Sequence, residues 1–205
     1  MRPAPNFWRT AVVAVCVVAA LCGMGVVFWQ QDLRYSQPTP RPSDLEQVPL
    51  GTRVELPLRI TSVAGTATPL LLHFYNPECP CSRFNRDHLE ALLLKFRPEV
   101  TFVAVVEREP DARQHSGLDM PHVVDDDGKI AKSLGVYSTP QAVLLDRERR
   151  LVFRGNYNSS RYCTARQTQY ARLAIEALLD GRSPPTETGA DVAYGCPLPI
   201  DEGAR

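Results

Sequence analysis

Cys79 and Cys81 stand one proline apart in Cys79-Pro80-Cys81-Ser82, and the chemistry this stretch offers is sulfur chemistry. It follows an apolar run, Leu70-Leu71-Leu72-His73-Phe74-Tyr75, and precedes a segment of helical periodicity, which places Cys79 at a strand-to-helix turn. The first amides of a helix have no partners within it and carry partial positive charge, so a thiol there is stabilised as thiolate. A thiolate attacks disulfides and binds soft metal ions.

The other cysteines divide by location. Cys16 and Cys22 fall in Ala11 to Trp29, an uncharged apolar run. At a helical rise of about 1.5 Å per residue it spans roughly 28 Å, close to a bilayer's hydrocarbon core. Arg2 and Arg9 precede the run, whereas Asp32 and Arg34 share its other flank, a bias that predicts a cytoplasmic N-terminus and export of everything beyond. The expected order is a cytoplasmic tail at 1–10, a transmembrane signal anchor at 11–29 and a Pro-rich tether at 30–50. A domain at 51–182 and a C-terminal tail at 183–205 complete it. Localisation follows: a single-pass inner-membrane protein with a periplasmic domain. Cys79, Cys81, Cys163 and Cys196 then lie in an oxidising compartment, where disulfide use is expected.

The elements that must position Cys79 can be read from periodicity. Pro69 to Tyr75 and Val100 to Val106 predict buried strands, and Arg53 to Ile60 is a weaker strand candidate in which Val54, Leu56 and Leu58 alternate. After the cysteines, Phe84, His88, Leu89, Leu92, Leu93 and Phe96 recur on one helical face until Pro98 ends it. A short helix is expected within 107–119, a strand at 122–125, and a helix from Ile130 to Leu134 closed by Gly135. Gln141 to Leu145 and Leu151 to Arg154 predict a hairpin. Thr164 to Gln167 has a capping-box pattern before a helix at about 165–180. This order implies an α/β fold, a mixed β-sheet with helices on both faces.

These residues resemble the thioredoxin-like superfamily. Phe74-Tyr75-Asn76-Pro77-Glu78-Cys79 is similar to the family's aromatic strand end and nucleophilic cysteine, and Thr139-Pro140 before a strand is similar to its cis-proline. The wide separation of these two motifs resembles the membrane-tethered, exported TlpA-like or redoxin-like branch. Asp125-Asp126-Asp127-Gly128-Lys129-Ile130-Ala131 with Leu134-Gly135-Val136 does so too. The resemblance covers about 65–181. It implies that Thr139 and Pro140 bind an incoming peptide beside the cysteine.

One departure matters. The usual second cysteine would fall on Ser82, and Cys81 occupies a place usually filled by another residue type. Three replacements follow: a strained Cys79–Cys81 disulfide, resolution by a distant cysteine, or a mixed disulfide left unresolved. The adjacent pair is the expected one, and its strain predicts an oxidising potential. Cys163 and Cys196 are read as a structural pair pinning a proline-rich tail, a closure worth on the order of 3 to 4 kcal/mol. The rival is that one of them resolves Cys79.

The expected function is a membrane-tethered thiol:disulfide oxidoreductase acting on protein thiols and disulfides outside the cytoplasm. Cys79 attacks, Cys81 releases the product, and no cofactor is required. The alternative class is a copper-binding or copper-delivery module using Cys79 and Cys81, with His122 as a remote ligand. A docking scaffold without catalysis is the third. A peroxidase lacks its motif, because Leu72 and Asn76 stand where proline and a hydroxyl residue are needed. With 23 basic and 23 acidic residues, nothing points to nucleic acid.

Overall fold

The computed structural model describes residues 7–31, 33, 37–65, 67–109, 118–159, 165–184 and 189–198. The chain forms two compact units, Met1–Gln37 and Pro38–Arg205. In the first, a single helix, α1 (Phe7–Gln31), carries the uncharged run and is long and apolar enough to cross a membrane.

The second unit is built on the strand that precedes the cysteines. In β1 (Leu70–Tyr75) every residue is buried, as its unbroken apolar run requires of a central strand. It pairs in parallel with β2 (Thr101–Val106), which pairs in parallel with β3 (His122–Val124). On its other side it pairs antiparallel with β5 (Gln141–Leu145), which forms the expected hairpin with β6 (Leu151–Gly155). The strand order is β3-β2-β1-β5-β6. A separate two-stranded ladder joins β4 (Ser138–Thr139) to β7 (Cys196–Pro197).

Alternation along β1 makes two cores. Leu71 faces Leu89, Leu92, Leu93 and Phe96 of α4 (Arg86–Phe96) and Tyr170, Ala174 and Ile175 of α6 (Tyr170–Leu179). Leu70, Leu72 and Phe74 face Ile60 and Ala64 of α2 (Leu58–Ala64) and Ile130 and Leu134 of α5 (Lys129–Leu134). Helices therefore cover both faces of a mixed sheet, as the sequence predicts, and the fold is thioredoxin-like.

Four local differences from the sequence-based expectation have physical causes. Residues 53–60 are not a strand: Arg53 makes an isolated bridge to Arg150, and α2 begins at Leu58. Pro57 cannot donate to a ladder and is pre-set for a helix entry, while Ile60 and Ala64, four apart, bury one face. The helix after the cysteines is broken at Asn85 into α3 (Pro80–Phe84) and α4, and Asn85 takes the buried place while Phe84 is exposed. The last helix starts at Tyr170 after a 3-10 turn, Arg166–Thr168. Thr164 of the expected capping box lies outside the described residues, as does most of the helix expected within 107–119. Finally, the second unit begins at Pro38, and Thr39 and Leu45 of the expected tether are buried.

Candidate active site

Asn76 shapes the turn that presents Cys79. Its side-chain oxygen accepts the Glu78 amide at 2.8 Å, its carbonyl accepts the Cys79 amide at 3.1 Å, and its own amide donates to Ser82 Oγ at 3.4 Å. Cys79 is the extended residue preceding α3, and Pro80 opens that helix, where proline's fixed φ fits and its missing N–H is not needed. Ser82, in the place of the usual second cysteine, is fully buried and serves the turn.

Cys79 and Cys81 are 1% and 2% exposed, so both lie in a site that excludes most water. The Cys79 thiol is held well below the ordinary thiol range. Hydrogen bonding from the Cys196 side chain is the largest cause and from Cys81 the next; burial opposes them, and the amides of Ser82 and Cys81 add further support. The protonated thiol has a different partner: it donates to the carbonyl oxygen of Thr139 at 3.2 Å. Deprotonation turns that contact repulsive, and the thiolate instead accepts from its two neighbouring thiols and two amides.

Thr139 and Pro140 lie where the sequence places them, beside the cysteine, and the Thr139–Pro140 peptide is cis. The edge of β4 is occupied. The C-terminal segment pairs with it, Thr139 opposite Cys196 and Ser138 opposite Pro197, and Leu198 N donates to Tyr137 O at 3.0 Å. Ser138 Oγ donates to Cys196 O at 3.2 Å. Gly195 lies so close that a Cβ would overlap the Thr139 carbonyl, which only glycine avoids.

Hydrogen bonds from Asn156 and Thr39 hold this tail. The Asn156 amide donates to Ala190 O at 3.0 Å, its side-chain nitrogen donates to Val192 O, and its side-chain oxygen accepts from Tyr194 N at 3.2 Å. On the outer side, Thr39 N donates to Ala193 O at 2.8 Å and Thr39 Oγ1 donates to Gly195 O at 3.2 Å. Cys163 lies outside the described residues, so the expected Cys163–Cys196 pair is not described, but Cys196 itself stands at Cys79. Sequence reasoning carried this placement only in its rival reading, in which Cys163 or Cys196 resolves Cys79. The available signals were Gly195 directly before a cysteine and a threonine amid the prolines of the tether.

The three described histidines lie apart from the cysteines, and His115 falls outside the described residues. His73 is buried on β1 with Nδ1 2.7 Å from Tyr157 Oη, and His88 packs edge-on against the same ring. Burial, aided by the Arg172 charge, lowers the His88 pKa to about 4. His122 begins edge strand β3, two strands from β1, and faces Glu109 at 3.7 Å. It is not brought to Cys79 and Cys81, and among the described residues no group of three His, Cys, Asp or Glu side chains is arranged to hold a metal ion.

A family model described as a domain of unknown function, DUF6436, matches residues 52–197, a span that includes Cys79, Cys81, Thr139, Pro140 and Cys196. Among solved structures, the chain is similar to an uncharacterized conserved protein from Geobacillus kaustophilus. The two share 22% identity over 76% of this chain and 94% of that one, with a TM-score of 0.62. A hypothetical protein from Sinorhizobium meliloti 1021 shares 24% identity over 77% and 98%, with a TM-score of 0.61. Peroxidoxin BcpB from Mycobacterium tuberculosis shares 18% over 67% and 100%, with a TM-score of 0.52. These similarities support the fold. No curated protein matches.

Proposed function

The chain belongs to the DUF6436 family, and we propose that it is a thiol:disulfide oxidoreductase with Cys79 as its nucleophile. The observation that carries the reading is the convergence on one buried sulfur of two thiols, two helix-entry amides and the Thr139 carbonyl. The amides and thiols hold the attacking form, and the carbonyl accepts the hydrogen bond of the protonated thiol. Cys79 attacks one sulfur of a disulfide, forms a mixed disulfide and expels a thiolate; a second thiol of the site then takes Cys79 and releases the other half. Thr139 supplies main-chain groups beside the reacting sulfur for an extended polypeptide, which makes protein thiols and disulfides the substrate class.

The resemblance to exported, membrane-tethered TlpA-like proteins supports a location on the outer face of a membrane, with α1 as the anchor. The test is a titration of the full-length protein in detergent micelles against glutathione redox buffers, with mass spectrometry locating every disulfide. Reversible disulfide formation at Cys79, lost in Cys79→Ser, is expected. Stoichiometric Cu(I) retention without reversible disulfide formation would replace this reading with metal delivery by Cys79 and Cys81.

A further inference from the structure

The ladder between β4 and β7 occupies the main-chain edge at which a partner polypeptide would pair, and it brings a cysteine there. Cys196 lies directly opposite Thr139, and Thr139 O is 3.2 Å from Cys79 Sγ, so one residue is neighbour to both cysteines. The tail thus reproduces an extended substrate strand carrying a thiol. It is held on both edges, by Ser138 and Tyr137 on one and by Thr39 on the other.

We propose that Cys196 is the resolving thiol of this enzyme, delivered to Cys79 by a C-terminal strand seated in the substrate-binding edge. The proposal rests on Cys79 being the nucleophile. Cys79 thiolate attacks a disulfide RS–SR′; the Cys79–SR bond forms as the S–S bond breaks, and R′S⁻ leaves. Cys196, losing its proton to solvent, attacks Cys79 Sγ; the Cys79–Cys196 bond forms and RS⁻ leaves. The substrate disulfide gains two electrons and two protons to become two thiols, and the enzyme is left with one disulfide. A dithiol reductant restores it, and run in reverse the same steps oxidise a protein dithiol. The release step that spacing alone gives to Cys81 passes to Cys196, and Cys81 acts as a hydrogen-bond donor to the thiolate. Hydrogen bonding from Cys196 to Cys79 is consistent with their sulfurs being within exchange distance.

Because Cys196 and the substrate strand use one edge, the tail must withdraw for substrate to enter and return to resolve. The ladder is two residues long, so withdrawal releases a few hydrogen bonds and the packing of Leu198 against the core beyond it.

The test uses the fully reduced full-length protein in detergent micelles, mixed with glutathione disulfide and quenched with acid at intervals for peptide mapping by mass spectrometry. Wild type is expected to pass through a Cys79–glutathione adduct to a Cys79–Cys196 disulfide, releasing two equivalents of glutathione. Cys196→Ser is expected to stop at the adduct, with at least a tenfold slower second release, and Cys81→Ser to complete the reaction. A Cys196→Ser protein that proceeds to a Cys79–Cys81 disulfide at the wild-type rate would overturn the assignment while leaving Cys79 as nucleophile. A Cys163–Cys196 bond that survives the initial reduction under native conditions would overturn it in the same way. Absence of any adduct at Cys79 in every protein would remove the nucleophile and the proposal together.

Discussion

Cys79 donates its thiol hydrogen bond to the carbonyl oxygen of Thr139 at 3.2 Å, joining the turn after β1 to the residue before the cis-proline. The bond holds the sulfur when it is protonated. It also makes Thr139 the common neighbour of Cys79 and of Cys196.

Lowering of the Cys79 pKa has a consequence for stability. The folded chain favours thiolate, whereas an unfolded cysteine titrates near about 8.5. Between the two values the unfolded state binds more protons, so the contribution of Cys79 grows as pH rises, is complete above the unfolded value and is lost as pH falls through the folded one. Denaturant titration of reduced wild type and Cys79→Ser should show the wild-type advantage widening from pH 5 to pH 8. An advantage that narrows over this range contradicts the assignment of the hydrogen bonds.

His88 gives a pH dependence of the same sign through a different cause, burial that keeps the group neutral. With its pKa lowered to about 4 from an ordinary value near about 6.5, folding excludes a proton that the unfolded chain binds. Stability is unaffected above the unfolded value and falls as pH drops between the two, by an amount on the order of 3 kcal/mol. His88→Phe, which keeps an aromatic ring against Tyr157, should flatten the dependence between pH 7 and pH 4.5 in chemical denaturation. An unchanged slope would show that His88 is not its source.

Gly195→Ala tests the close approach of the tail. Its methyl would overlap the Thr139 carbonyl, so the strand must shift away from β4 at a cost of about 1 to 3 kcal/mol. Cys196 then recedes, the Cys79 thiol rises toward its ordinary range, and thiolate absorbance should titrate at higher pH than in wild type. A wild-type titration curve would mean that the tail does not support the thiolate.

Tyr157→Phe removes the 2.7 Å hydrogen bond to His73 inside the core beneath the site. The loss should cost about 1 to 3 kcal/mol of stability, read from the denaturation midpoint, while leaving thiol exchange at Cys79 intact. Loss of exchange without loss of stability would give these two residues a catalytic part.

Legibility in the sequence followed the periodicity. Leu70–Tyr75, Thr101–Val106 and Gln141–Leu145 are buried strands whose apolar runs announce them, and Cys79 stands out because it follows the turn after the first of these. Periodicity misled at 53–60, where Val54, Leu56 and Leu58 alternate but Pro57 opens a helix. It was silent on β4 and β7. Two residues have no period, and Ser138 and Cys196, 58 positions apart, are joined by hydrogen bonds that no local pattern encodes. The prolines around Cys196 argue against regular structure, and the two-residue β7 forms there nonetheless; Asn156 and Thr39 order the rest of the tail, each bonding main-chain groups at a distance.

The most direct measurement of the central claim is glutathione-driven reduction of a peptide disulfide by the full-length protein in detergent micelles, with Cys79→Ser measured alongside. The account predicts catalysis by wild type and a fall to the uncatalysed rate in Cys79→Ser. Retained catalysis in Cys79→Ser would contradict it.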